Sequence, residues 1–213
     1  TRTGRLIPNR YYKQIEPANR LAIILPGMRY TCDKPLLYYA TLLLLKSNCD
    51  VLQIWSDYAS PEYEKLLGSE LGMTLFSEAM DVINHMASHE NSKQVILVGK
   101  SIGTLTMALL LAQSQPAKLS STIWFTPLLN IPWVVNAIRD IQVPAFIAGS
   151  PADQTFDQIV FNTFDKTWIT SVVIPGANHS LELHEDPLGS LKILNEIIGN
   201  LAGFVSEKLQ FSS

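Results

Sequence analysis

Residues 94–103, Gln-Val-Ile-Leu-Val-Gly-Lys-Ser-Ile-Gly, bring together the residue types that acyl chemistry needs. Val95 to Val98 is an apolar run of the kind that forms a buried strand, and Thr104 to Ala112 reads as a helix. Ser101 stands between them, at the centre of G-x-S-x-G. A strand, a sharp turn and a helix in that order make a nucleophile elbow, which pushes a hydroxyl out of the sheet toward a substrate. Gly99 and Gly103 remove the side chains that the turn has no room for. The helix start leaves backbone N–H groups free, so the Ile102 N–H is placed to donate to an oxyanion. The segment also resembles the end of a phosphate loop, G-x-x-x-x-G-K-[ST], but that motif requires glycine where the chain has Gln94.

A serine hydroxyl needs a base to take its proton, and the base needs an acid to orient it. In an open parallel sheet such groups collect beyond the carboxyl ends of the strands. Two loops downstream of Ser101 answer. Gly149-Ser-Pro-Ala-Asp153 follows one apolar strand, and Pro175-Gly-Ala-Asn-His179 follows the next. The order is Ser, Asp, His, and the 26 positions from Asp153 to His179 leave room for one helix and one strand. Asp157 and His184 are the fallback acid and base; Asp157 reads better as a helix-start residue. A second oxyanion donor is expected from Pro26-Gly27-Met28-Arg29-Tyr30, with the Met28 N–H as the donor. Arg29, Tyr30, Lys100 and Leu128, with Phe125, Leu129 and Trp133, are candidate pocket residues because they follow strand ends; Lys100 is expected to be solvated. His85 and His89 are four apart on a helix, but no third ligand has metal-site spacing.

The elements that must position these groups alternate regularly. Strands are expected at Leu21–Leu25, Asp50–Trp55, 94–98, Ser121–Phe125, Pro144–Gly149 and Trp168–Ile174, and an irregular edge strand at residues 5–13, where Pro8 excludes a central place. Helices are expected at Lys34–Lys46 with Asp33 as N-cap, at 62–88 with breaks near Gly68 and Gly72, at Pro132–Asp140, at Phe156–Phe164, and from Pro187 or Leu188 to Leu209. In the last of these, Leu191, Leu194, Ile198, Leu201 and Val205 fall at helical spacing. Six apolar strands without polar alternation describe a parallel sheet buried on both faces by helices. No segment is long enough for a large cap; Thr126 to Asp140 is a candidate for a small lid-like edge.

The composition agrees. The 213 residues are 47% hydrophobic and 16% charged, as in a globular chain with a large core. The net charge of −3, without long charge runs, argues against a nucleic-acid partner. The longest apolar run, Leu36 to Leu45, is too short for a membrane span. Thr1 to Leu6 shows no apolar core of a signal peptide. Cys32 and Cys49 are the two cysteines, expected as free thiols of a reducing, cytoplasmic compartment.

Taken together, the elbow, the Pro26-Gly27 loop, the Gly149-x-x-x-Asp153 turn and the Gly176-x-x-His179 loop resemble the α/β-hydrolase superfamily across roughly residues 20–205. The likeness is to its small capless members, the dienelactone-hydrolase-like and short bacterial esterase-like proteins. The resemblance implies a three-layer α/β/α sandwich with a mostly parallel central sheet, its first strands short or missing. It implies one domain over residues 1–213 with no separate cap. It assigns Ser101 as nucleophile, His179 as base, Asp153 as acid, and Ile102 and Met28 as oxyanion donors. The expected activity is cleavage of a small carboxylic ester or thioester through an acyl-enzyme, with no cofactor and no metal. The oxyanion loop departs from the family's common His-Gly by beginning Pro-Gly. The same fold also carries non-catalytic ligand-binding proteins and acyltransferases, and fold alone does not choose among them.

Overall fold

The computed structural model describes residues 6–56, 58–66, 68–90, 93–113 and 118–209, and the start of the expected 5–13 strand at Arg5 lies outside them. Seven strands form one sheet in the order β1-β3-β2-β4-β5-β6-β7. These are β1 (Asn9–Tyr12), β2 (Arg20–Leu25), β3 (Cys49–Ile54), β4 (Gln94–Lys100), β5 (Leu119–Phe125), β6 (Ala145–Gly149) and β7 (Ile169–Val173). Six run parallel; β1 alone is antiparallel, paired with β3 at the edge from Asn9↔Ile54 to Tyr12↔Val51. Pro8 precedes β1, and its carbonyl still accepts the Trp55 N–H at 2.7 Å.

The central strands carry apolar residues toward both faces because helices cover each face. Ala22, Ile24, Ile96, Val98, Ile123, Phe125, Phe146 and Ala148 point to one side, against α1 (Pro35–Lys46) and α7 (Pro187–Leu209). Leu21, Ile23, Leu25, Leu97, Trp124 and Ile147 point to the other. There they meet α4 (Ile102–Gln113) and α5 (Pro132–Arg139), with α3 (Gly68–Glu90) packed alongside α4. Two short helices, α2 (Pro61–Glu64) and α6 (Gln158–Asn162), complete the set. Helix α4 is apolar all round, and residues 103–110 are all buried, as its central place requires. Among the described residues no helix is long and apolar enough to cross a membrane.

The local departures from expectation have physical causes. Helix α1 is not capped by Asp33: Lys34 holds the cap position without a side-chain bond, while the Asp33 carboxylate takes the Thr31 hydroxyl. Pro35 begins the helix, and the Tyr30 hydroxyl accepts the Leu36 N–H at 3.1 Å, so a cap comes from five residues upstream of the helix. The break between α2 and α3 falls at Gly68 (φ +50), whereas Gly72 lies inside α3, where its bare Cα lets the helix approach Leu105 of α4. Helix α7 buries Ile193, Ile197, Leu201, Phe204 and Val205; Leu191, expected on that face, is 60% exposed. Residues 132–139 form no lid: α5 packs on α4 through Val134 and Ile138.

At the end of the sheet opposite the strand carboxyl termini, Asp50 stitches the antiparallel edge to the core. Its carboxylate is buried, accepts the Gln14 N–H and the Tyr11 hydroxyl, each at 2.7 Å, and pairs with the Lys93 ammonium. Burial by itself would push this carboxyl up; the Gln14 N–H, Lys93 and Tyr11 together outweigh it and hold it below the usual carboxylate range. The stabilisation is therefore complete above the unfolded carboxyl value of about 3.9 and is lost as pH falls through the lower folded value. Asp50→Ala, which strips a carboxylate from a buried ion pair, is expected to cost about 3 kcal/mol in urea denaturation at pH 7. Its stability deficit relative to wild type should shrink as pH falls below about 3.9 and the wild-type carboxylate loses its charge.

Candidate active site

The sheet changes winding direction at β2, which pairs with β3 on one side and β4 on the other. A crevice opens beyond the carboxyl ends of strands at such a point. The loop after β2 holds Met28, and the turn after β4 holds Ser101.

That turn is tight. Ser101 sits at φ +53, a left-handed conformation that a residue with a Cβ adopts at a cost of about 1 kcal/mol or more. The flanking glycines show what holds it. A Cβ on Gly103 would lie 2.2 Å from the Leu25 carbonyl oxygen and 2.6 Å from that of Pro26; one on Gly99 would lie 3.0 Å from the Gly103 carbonyl oxygen. The start of α4 thus presses directly on the end of β2. The Ser101 N–H donates to the Phe125 carbonyl at 3.1 Å, and the Ser101 carbonyl accepts the Thr104 N–H at 2.8 Å and its hydroxyl at 2.6 Å. The serine backbone is held on both sides, and its hydroxyl is left to one partner.

That partner is His179. Its Nε2 lies 2.7 Å from Ser101 Oγ and its Nδ1 lies 2.6 Å from Asp153 Oδ2. A carboxylate can only accept, so the ring proton belongs on Nδ1, and Nε2 is left to accept the serine proton. The structure brings the three sequence-predicted residues into one hydrogen-bonded line. Asp153 is enclosed, its side chain 2% exposed, whereas the imidazole is 39% exposed. Burial would push the Asp153 carboxyl up; the His179 ring and the Thr155 N–H and hydroxyl outweigh it and hold it below the usual carboxylate range. Neither fallback residue takes part. Asp157 caps α6 by accepting the Val160 N–H at 3.0 Å, and His184 is exposed beside Glu185.

Each loop is braced from within. Asn178 Oδ1 accepts the Ser180 and Glu182 N–H groups at 2.8 and 3.2 Å, and its main chain pairs with Glu182 and Leu181. This turn holds His179 at its tip. Thr155 donates its N–H and hydroxyl to Asp153 Oδ1, at 2.9 and 3.0 Å, and the hydroxyl oxygen also lies 3.3 Å from His179 Nδ1. The sequence reading missed Thr155, though an Asp-x-Thr after a strand is a hydrogen-bonded turn signal. The loop after β2 closes through reciprocal bonds between Gly27 and Tyr30, at 2.9 and 3.2 Å. Met28 and Arg29 stand at its tip, Arg29 at φ +56. Met28 is 40% exposed, and Ile102 opens α4, where the first N–H groups have no acceptor within the helix.

The candidate pocket residues scatter. Arg29 is exposed, 3.7 Å from Glu64. Leu128 and Leu129 are buried with α4 and α5, Phe125 is buried beneath α1 and α7, and Trp133 is exposed on α5. Tyr30 is buried and lines a groove of about 490 Å³ with Leu36, Leu183 and Leu191, on the far side of the His179 loop; Ser101 and His179 do not line it. Lys100 contradicts the expectation of a solvated side chain: it is 1% exposed, and its Nζ donates to Thr126 Oγ1 at 2.7 Å and to the His179 carbonyl at 2.9 Å. His85 is exposed on α3, and the His89 side chain lies outside the described residues. Among the described residues no group of three or more histidine, cysteine or acidic side chains could hold a metal ion. Cys32 and Cys49 are buried free thiols, and burial pushes them up to about 12 and about 11.

No protein-family model and no curated protein sequence matches the chain. Solved structures do. A candidate alpha/beta hydrolase of unknown function from Agrobacterium tumefaciens is similar at 18% identity and a TM-score of 0.74, covering 96% of this chain and 92% of that one. A serine hydrolase without a lid from Xanthomonas campestris is similar at 14% identity and 0.69, covering 96% and 90%. A cold-adapted esterase from an Arctic intertidal metagenomic library is similar at 14% and 0.69, covering 96% and 89%. This chain has the α/β-hydrolase fold. Among the described residues a single antiparallel strand, β1, stands at the β3 edge of the sheet, and the loops after β2, β4, β6 and β7 meet at one rim. Gly103→Ala places a methyl group on two backbone carbonyls that cannot swing away. The expected result is a loss of folded protein or a Tm lowered by more than 10 °C, measured by circular dichroism, while Gly199→Ala, in open space on α7, leaves Tm within a few degrees.

Proposed function

We propose that the chain is a serine hydrolase that cleaves a carboxylic ester or thioester of a small substrate through an acyl-enzyme. The observation that carries this reading is the unbroken line Ser101 Oγ, His179 Nε2, His179 Nδ1, Asp153 Oδ2, with both contacts below 2.8 Å. The serine and esterase descriptions of the similar structures support it.

In the first step Ser101 Oγ attacks the carbonyl carbon while His179 Nε2 takes the hydroxyl proton. The oxyanion is received by the N–H groups of Ile102 and Met28. The buried Asp153 carboxylate keeps the proton on Nδ1 and stabilises the imidazolium as it forms. The imidazolium then gives its proton to the leaving alcohol or thiol, which departs as the tetrahedral centre collapses. In the second step His179 takes a proton from water, hydroxide equivalent adds to the acyl carbon, and the proton returns to Ser101 Oγ as the acid is released. The half-exposed imidazole gives water direct access for this step. The buried free thiols of Cys32 and Cys49 support a cytoplasmic setting.

A fluorophosphonate probe is the deciding experiment. Wild type should label at a single site and Ser101→Ala should not. Asp153→Asn should fold and lose about 10³–10⁴-fold in kcat on a short p-nitrophenyl ester. A folded wild type that does not label would favour a ligand-binding protein, and product analysis with added alcohols separates transfer from hydrolysis.

A further inference from the structure

Lys100, the residue before the serine, is buried among the loops of the site and is not used by the mechanism above. An ammonium inside a protein is expensive unless all its donors are satisfied. Here each has a partner. One N–H goes to Thr126 Oγ1, one goes to the His179 main-chain carbonyl, and the group lies 4.8 Å from the centre of the Tyr30 ring. The methylene stem fills the space beneath the loop after β2: a Cβ on Gly27 would stand 3.3 Å from Lys100 Cγ. One side chain therefore touches four segments that surround the serine. These are its own turn, the turn at Thr126 after β5, the loop bearing Met28 after β2, and the loop bearing His179 after β7.

We propose that Lys100 is a positioning residue, whose buried ammonium fastens the His179 loop and the Thr126 turn to the elbow and keeps the imidazole aimed at Ser101. Its effect on rate rests on the serine-hydrolase reading; its effect on the loop does not. Thr126 shows the same design from the other side. It sits at φ +41, donates its N–H to the Ala148 carbonyl at 2.7 Å, and so offers its hydroxyl to Lys100 from a backbone locked onto β6. The titratable groups around Lys100 are the carboxylates of Asp153 and Glu182, the Tyr30 phenol whose ring it faces, and His179 itself. Burial brings the ammonium down to about 7 against the pull of the two carboxylates, and burial pushes the Tyr30 hydroxyl up.

Three variants test this: Lys100→Met, which keeps the stem and removes the donors; Thr126→Val, which removes one acceptor; and Thr126→Ser, which restores it. Folding is checked by circular dichroism, and kcat and KM are measured with a short p-nitrophenyl ester. Lys100→Met should lose about 100-fold in kcat with KM within about twofold, as for a misaimed rather than a missing group. Thr126→Val should lose about tenfold and Thr126→Ser should recover it. A folded Lys100→Met with wild-type kcat overturns the proposal, as does a Thr126→Ser as impaired as Thr126→Val. If Lys100→Met does not fold, the Thr126 pair decides. If wild type fails to label with fluorophosphonate, the serine reading falls separately. The loop is then read by proton NMR: the downfield His179 Nδ1–H signal, identified by its absence in His179→Ala, should be present in wild type and lost in Thr126→Val. Its persistence there overturns the positioning role.

Discussion

The contact between Gly103 and the carbonyls of Leu25 and Pro26 is the constraint from which the rest of the site follows. Two backbone segments meet there with no side chain between them. Because α4 starts in that position, β4 must turn within one residue, and Ser101 must take the left-handed conformation that lifts its hydroxyl above the sheet. The same contact sets the loop after β2 beside the first turn of α4. The strain at Ser101 is local. The apolar contacts of α4 against both its neighbours and the sheet are what hold it in place.

Buried charge is used at both ends of the sheet, with different results. Asp50 and Lys93 tie the antiparallel edge strand to β3 and β4, far from the strand carboxyl ends. Lys100 works at the other rim, where its acceptors are neutral oxygens and the nearest carboxylates act through space. Asp50 is therefore a matter of stability and its dependence on acid, and Lys100 a matter of geometry at four loop tips. Asp153 stands between these cases: a buried carboxylate whose hydrogen bonds hold it ionised, and whose partner is the half-exposed imidazole.

The fold was legible because its central strands are short, mainly apolar runs and its turns are marked by proline and glycine. The Gly-x-Ser-x-Gly turn and the two loops after β6 and β7 were legible for the same reason: each follows directly on a strand. What the sequence could not show depended on contacts between distant segments. Asp33 has the residue type of a cap, but its carboxylate is taken by Thr31 and the capping oxygen comes from Tyr30. Leu191 has the spacing of a core position on α7, but the helix faces the sheet through Ile193 and Ile197 instead. Lys100 has the character of a surface residue, and only the convergence of Thr126, Tyr30 and His179 around it creates an interior site for an ammonium. Pocket residues were hardest of all to read, since the direction of a side chain after a strand end depends on the loop's own turn.

The loop after β2 is pinned at both ends, by the Gly27–Tyr30 bridge and by the Tyr30 hydroxyl that starts α1. Tyr30 cannot change without disturbing a helix, and Gly27 cannot gain bulk without meeting the lysine stem. Only the two residues at the tip, Met28 and Arg29, carry side chains into solvent there. The bridge holds their backbone while both side chains face solvent, Arg29 beside Glu64, so an exchange at Met28 alters this edge of the crevice without rebuilding the turn that aims the hydroxyl.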